Sequence, residues 1–268
     1  MSKARKIAIA APSTGDEEWQ ALREPLSTGW LTQGPKVAEF ETAFAARHGT
    51  RHAVASSSGT TALHLALAAL GIGPGDEVIV PAFTWVATAS AVLHCSATPI
   101  FVDVDARTYN LAIDQVAGAI TARTRAIVPV HLFGLCADMD ALEAASTGIP
   151  LVEDAACADG ADYRGRPAGS MGAAGMFSFH PRKVMTTGEG GMLTTDNGEL
   201  AERARTMRNH GAPEFENLGF NYRMTDMQAA VGMIQLGKLD TLIDERSKWA
   251  DFYRQELSSV EWLRTPES

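Results

Sequence analysis

From about Thr50 onward the chain alternates short β-branched runs with stretches of helical apolar period, and this alternation leaves few folds open. Strands are expected at 52–55, 77–80, 99–102, 126–130, 150–153, 175–179 and 191–194. Between them, 61–70, 84–93, 114–120 and 138–145 place apolar residues at helical spacing. Gly71-Ile-Gly-Pro-Gly-Asp76 is turn chemistry that closes the first of these helices. Parallel strands joined by crossover helices produce this pattern, so an α/β domain is expected, its mostly parallel sheet flanked by helices. Ahead of it, 17–27 and 37–48 read as helices separated by Thr28-Gly-Trp-Leu-Thr-Gln-Gly-Pro35. Behind it, 200–209, 225–236 and a charged stretch at 239–257 read as helices that pack on the sheet.

A chain of 268 residues with 46% hydrophobic composition can bury a large core. Its net charge of -9 supplies no basic face for phosphate backbones, which argues against nucleic-acid partners and for small-molecule chemistry. Cys95, Cys136 and Cys157 are odd in number and far apart, so neither a disulfide framework nor a thiolate metal site is indicated. A reducing cytoplasm fits that usage. The basic start, Met-Ser-Lys-Ala-Arg-Lys-Ile-Ala-Ile-Ala-Ala-Pro12, is cut by Pro12 and the acidic Asp16-Glu-Glu18 too early for a secretory leader. No apolar stretch has the length to span a bilayer, and a soluble protein is expected.

Candidate chemistry centres on Lys183, in the run Met176-Phe-Ser-Phe-His-Pro-Arg-Lys183-Val-Met-Thr-Thr-Gly-Glu-Gly-Gly191. An amine preceded by a hydroxyl and followed by glycines suits an aldehyde cofactor. Together with Val152-Glu-Asp154 it points to pyridoxal 5'-phosphate (PLP), which needs a lysine, a carboxylate facing its ring nitrogen, and donors for its phosphate. Asp154 ends a predicted strand at the carboxyl edge of a parallel sheet, where open α/β folds place ligands. Taken alone, it reads as a helix cap or a surface charge. Ser56-Ser-Ser-Gly-Thr-Thr-Ala-Leu63 follows a strand and opens a helix, so its free amides can hold a phosphate; a plain N-cap turn has the same look.

These residues resemble the DegT/DnrJ/EryC1/StrS family of fold-type I aminotransferases, which act mainly on nucleotide-linked keto-sugars. The resemblance runs through Gly29-Trp-Leu-Thr-Gln-Gly34, the 71–81 segment, Val130-His-Leu-Phe-Gly134, Glu153-Asp-Ala-Ala156, Thr187-Gly-Glu-Gly-Gly191, Gly219-Phe-Asn-Tyr-Arg-Met-Thr225 and Gln228-Ala-Ala230. It implies the aspartate aminotransferase-like fold. It further implies that Lys183 forms the Schiff base, that Asp154 faces the pyridine nitrogen, and that Gly59, Thr60 and Ser178 hold the phosphate. Trp85 would stack on the ring, and Asn221 would reach the phosphate of a partner subunit, making a homodimer with shared sites. Arg223 would face an anion or form an internal ion pair. Where many members have Gln or His this chain has Cys157, a weaker donor that is either a cofactor contact or core filling, and where His often follows it has Asp159. His131 and His180 are expected to be structural or to support neighbouring site residues rather than to be catalytic.

The resemblance also implies a large PLP-binding domain at 1–236 and, at 237–268, the start of a small domain that is incomplete and truncated. The expected activity is transfer of an amino group, from L-glutamate, to a keto group of a nucleotide-linked deoxysugar. Alternatives are a cyclitol or other non-nucleotide ketone as acceptor, or PLP binding without turnover.

Overall fold

The computed structural model describes residues 8–216 and 218–266. The basic residues at the start of the N-terminal run, 1–7, lie outside this range.

Seven strands overlap the expected positions: β1 (His52–Ser56), β2 (Glu77–Pro81), β3 (Thr98–Val102), β4 (Thr124–Ile127), β5 (Val152–Asp154), β8 (Ala174–Ser178) and β9 (Gly191–Thr195), with β4 starting two residues earlier and ending three residues sooner than expected. They pair in the orders β1-β9-β8-β5 and β3-β2-β4. Parallel bridges Ile127 to Leu151 and Val130 to Asp154 connect β4 to β5, so the seven form one continuous layer. β2–β3, β2–β4 and β5–β8 are parallel, whereas β9 runs antiparallel to both β1 and β8. That reversal is the exception in an otherwise parallel sheet. A two-stranded hairpin, β6 (Asp162–Tyr163) with β7 (Arg166–Pro167), adds to the expected set; its strands are too short to show an alternating pattern.

α4 (Gly59–Ala69) is the central crossover. Its Ala- and Leu-rich sequence favours helix, Ser58 Oγ caps it by accepting from Thr61 N at 3.2 Å, and Gly71 ends it with φ +86°. Ala62, Leu63, Leu65, Ala66, Leu67 and Ala69 are all buried, so the helix is apolar around most of its circumference and is clasped by β1, β8, β9 and the helices α5 (Ala87–His94) and α8 (Gly198–Arg208). On the other face, α3 (Pro35–Arg47) brings Phe40 and Phe44 against Phe177 and Phe179, with ring centroids 5.0–5.5 Å apart in edge-on and tilted arrangements. α9 (Asp226–Gly237) packs on α3, while α6 (Ile113–Ala119) and α7 (Met139–Ser146) cover the β2–β4 end.

The helix expected at 17–27 is broken in two, α1 (Asp16–Ala21) and α2 (Arg23–Thr28). Pro25 is the cause: it has no N–H to donate to Ala21, so the ladder cannot run through. The expected helix at 84–93 starts three residues later, at Ala87, because the preceding residues form a loop that holds Thr84 and Trp85 outside it.

Candidate active site

Period-two alternation divides the work of β5. Asp154 is in register with Met176, so it shares a sheet face with Met176 and, two residues on, with Ser178. That is the face α4 covers. Glu153 points the other way.

Asp154 is only 5% exposed. Its Oδ2 accepts from Thr88 Oγ1 at 2.9 Å and its Oδ1 from the Ala156 amide at 3.2 Å. Burial pushes its carboxyl above the usual range, against the pull of those two hydrogen bonds and of the more distant Lys183 charge. Among the described residues no Lys or Arg pairs with it directly. A buried carboxylate given donors but no adjacent cation fits a cationic ring nitrogen arriving with a ligand.

Glu153 is fully buried and anchors the opposite face. Oε1 accepts from the Met171 and Gly172 amides at 2.7 and 2.6 Å, and Oε2 accepts from the Gly169 amide at 2.8 Å and from His131 Nε2 at 2.9 Å. His131 Nδ1 in turn accepts from the Ala137 amide at 3.1 Å, which fixes the tautomer with the proton on Nε2. His131 thus supports Glu153 from within the fold. His180 likewise turns inward on its own loop, accepting from the Arg182 amide at 3.2 Å.

The turn ahead of α4 is tied together by Thr61. Its hydroxyl bonds Ser56 Oγ at 2.7 Å, Ser57 Oγ at 3.2 Å and the Ser58 amide at 2.9 Å. Gly59 opens the helix against the end of β8: a Cβ there would lie 2.8 Å from Ser178 Cβ, so only glycine lets the two elements meet. Gly59, Thr60 and Ser178 therefore lie side by side at a helix N-terminus. On its other flank Gly191, from the glycine-rich run, sits so close to the Ser58 carbonyl that any side chain would collide with it. This cradle fits a phosphate.

Lys183 emerges from a turn after β8, its amide bonded to the His180 carbonyl at 2.8 Å. Nζ contacts Cys157 Sγ at 3.2 Å, which brings the chain's departure from the family pattern against the candidate amine. The turn is held from outside the sheet: Thr186 N donates to Gln235 Oε1 at 3.2 Å, and Arg246 of α10 (Leu239–Glu256) donates to the Lys183 carbonyl at 2.9 Å. Asp159 pairs with the buried His48 at 3.1 Å rather than facing the amine.

Trp85 and Asn221 are exposed, and among the described residues neither side chain forms a hydrogen bond to another candidate. Trp85 is 74% exposed, on the loop that also carries Thr84 and leads to Thr88. Asn221 is exposed on a segment fastened beside the phosphate turn, where Ser57 N donates to the Tyr222 carbonyl at 2.9 Å. Arg223 donates to Asn209 Oδ1 at 2.8 Å and, among the described residues, makes no ion pair. Sequence reading missed Thr88, although its position three residues after Trp85 offered a faint signal, and it missed Arg246.

Residues 12–267 match the DegT/DnrJ/EryC1/StrS aminotransferase family. The chain belongs to that family. GDP-perosamine synthase of Caulobacter vibrioides is 47% identical over 97% of this chain and 72% of the relative. Among solved structures, DesV of S. venezuelae superimposes with TM-score 0.89 at 45% identity, over 91% of this chain and 68% of the other. A 3-amino-5-hydroxybenzoic acid synthase gives TM-score 0.91 at 40% identity, over 97% and 70%. The family member is thus a PLP-dependent aminotransferase of the fold expected from the strand pattern. Among the described residues, no helix is long and apolar enough to cross a membrane.

Proposed function

We propose that this aminotransferase moves an amino group from L-glutamate to the keto group of a nucleotide-linked deoxysugar. The observation that carries the reading is the convergence, on one sheet edge, of an amine (Lys183), a buried carboxylate (Asp154) and a phosphate-ready turn (Gly59, Thr60, Ser178). The GDP-perosamine synthase relative supports a GDP-linked keto-sugar as the first acceptor to test.

Bound PLP supplies an electron sink for negative charge at the carbon that bears the transferred nitrogen. Lys183 Nζ would hold the cofactor covalently and would serve as the base that moves a proton at the donor α-carbon. Cys157 Sγ, in contact with that nitrogen, orients the amine and lies at the cofactor. Asp154 keeps the ring nitrogen protonated, and the Gly59 and Thr60 amides with Ser178 Oγ bind the phosphate. Trp85 covers a ring face. Asn221, exposed beside its own phosphate turn, reaches the phosphate of a second copy, so the working unit is a homodimer acting in the cytoplasm. In this reading 1–236 form the cofactor-binding domain and 237–268 begin a second; α10 buries only Leu239 and Leu242 of its own residues.

The deciding experiment loads purified protein with PLP and follows cofactor absorbance while candidate amino donors are added, then returns the product form with keto-sugars. Conversion by glutamate and reversal by a nucleotide-linked keto-sugar are expected; no conversion by any donor sinks the proposal in favour of PLP binding without turnover. The 3-amino-5-hydroxybenzoic acid synthase neighbour favours a second reading, a cyclitol or other ketone without a nucleotide. Reversal by such ketones alone would establish it.

A further inference from the structure

We propose that Thr88 is a positioning residue that holds Asp154 ionised and aimed at the cofactor's ring nitrogen, through a hydroxyl relay that begins at Thr84. The inference rests on the reading of Asp154 given above.

Thr88 is fully buried, in the first turn of α5, and its hydroxyl lies 2.9 Å from Asp154 Oδ2 and 3.0 Å from Thr84 Oγ1. A hydroxyl has one proton to give. An ionised carboxylate only accepts, so when Asp154 is charged the Thr88 proton must point to it, and Thr84 must donate into Thr88. The two hydroxyls then align in one direction, each polarising the next toward the carboxylate. The Ala156 amide completes the set on the other oxygen at 3.2 Å. Burial works against the charge on Asp154, and these donors are what the fold provides to offset it.

The relay also fixes direction. With one oxygen bonded to Thr88 and the other to a backbone amide, the carboxylate plane cannot rotate without breaking a buried hydrogen bond. Thr88 is part of the Trp85 loop as well, since its amide donates to the Trp85 carbonyl at 3.1 Å. One short segment thus sets both the residue expected on the ring face and the carboxylate expected at the ring nitrogen. A threonine that merely filled space would need neither its hydroxyl nor this alignment.

The test compares equilibrium binding of PLP with binding of an analogue whose ring nitrogen is replaced by carbon. Wild type should prefer PLP. Thr88→Val, which keeps the shape and removes the donor, should weaken PLP roughly ten- to a hundred-fold, the usual worth of a hydrogen bond to a charged group, and leave the analogue within about twofold. Thr88→Ser should restore PLP binding to within about threefold of wild type, because it returns the hydroxyl. Should Thr88→Val not fold, Thr88→Ala takes its place in the same comparison. Equal loss for both ligands, or failure of Thr88→Ser to restore the preference, overturns the proposal. Asp154→Asn run in parallel separates the layers. If it abolishes the preference while Thr88→Val does not, only the role of Thr88 fails; if it too keeps the preference, the reading of Asp154 fails and takes this one with it.

Discussion

Replacing Glu153 with Gln tests whether the fold around the site depends on a single buried carboxylate. Four donors converge on its two oxygens: the amides of Gly169, Met171 and Gly172, and His131 Nε2. Glutamine keeps one accepting oxygen, which can serve Met171 and Gly172. Its NH₂ then faces two further N–H groups, Gly169 and His131. The imidazole cannot adapt by changing tautomer, because Nδ1 already accepts from Ala137. Two hydrogen bonds to a charged acceptor are lost and two buried donors are left without partners, a cost of about 3–6 kcal/mol. At roughly 2–4 °C per kcal/mol for a chain of this size, the melting temperature of the cofactor-free protein should fall by about 6–24 °C. Circular dichroism melts of wild type and Glu153→Gln, checked by urea titration, read this directly. The surface variant Glu39→Gln serves as a control, since its carboxylate is held only at the exposed rim by Lys36. A drop for Glu153→Gln of less than about 3 °C would show that the 169–172 loop finds other acceptors, and the argument that Glu153 organises it would be wrong.

Borohydride reduction of the PLP-loaded protein should fix the pyridoxyl group on Lys183, and peptide mapping that finds it on another lysine removes Lys183 from its role. Asp154→Asn should slow the donor half-reaction by about 3 kcal/mol or more of lost electrostatic stabilisation, and an unchanged rate would contradict the assignment. The same variant should melt higher than wild type when cofactor-free at neutral pH. Burial raises the folded-state value of this carboxyl, so wild-type stability is lost as pH rises from the unfolded-state value through the folded one; Asn has no such loss. The advantage should fade as pH falls into the ordinary carboxylate range, and an advantage independent of pH would refute the cause. Finally, mixing Lys183→Ala with Asn221→Ala subunits should restore activity above either parent, and subunit exchange without gain would show that Asn221 does not act across a dimer.

Periodicity and turn chemistry were enough to place the seven main strands, because most are short apolar runs set between stretches of helical period. They could not give strand direction. Nothing in Gly191-Met-Leu-Thr-Thr195 distinguishes an antiparallel β9 from a parallel one; direction depends on the route of the connecting turn after Lys183. The break between α1 and α2 was written in Pro25, whose missing donor outweighs the helical spacing around it. In the site, Lys183, Asp154 and the Ser58–Gly59 turn stood out because each lies at an element boundary with unusual neighbours. Thr88 did not. It meets Asp154 across a separation of 66 residues, and a threonine in the first turn of a helix looks the same whether its hydroxyl caps the backbone or serves a remote carboxylate.

Glu153 and Asp154 show how a strand turns adjacency in sequence into a division of labour. Both are carboxylates, both are buried, and they differ by one methylene, so composition cannot assign their roles. The pleat does. Because successive side chains leave β5 on opposite faces, Asp154 enters the space at the N-termini of α4 and α5, where a hydroxyl and one amide hold it. Glu153 enters the space above the 169–172 loop, where every lone pair is already claimed by the protein. A carboxylate saturated by donors of the fold has nothing left for chemistry, and one held by two donors with no adjacent cation does. A slip of one residue in the β5–β8 register would exchange the two environments, leaving the longer Glu153 crowded against Thr88 and the shorter Asp154 unable to reach the loop amides. The parallel pairing of Asp154 with Met176 is therefore as much a determinant of the site as the residues that line it.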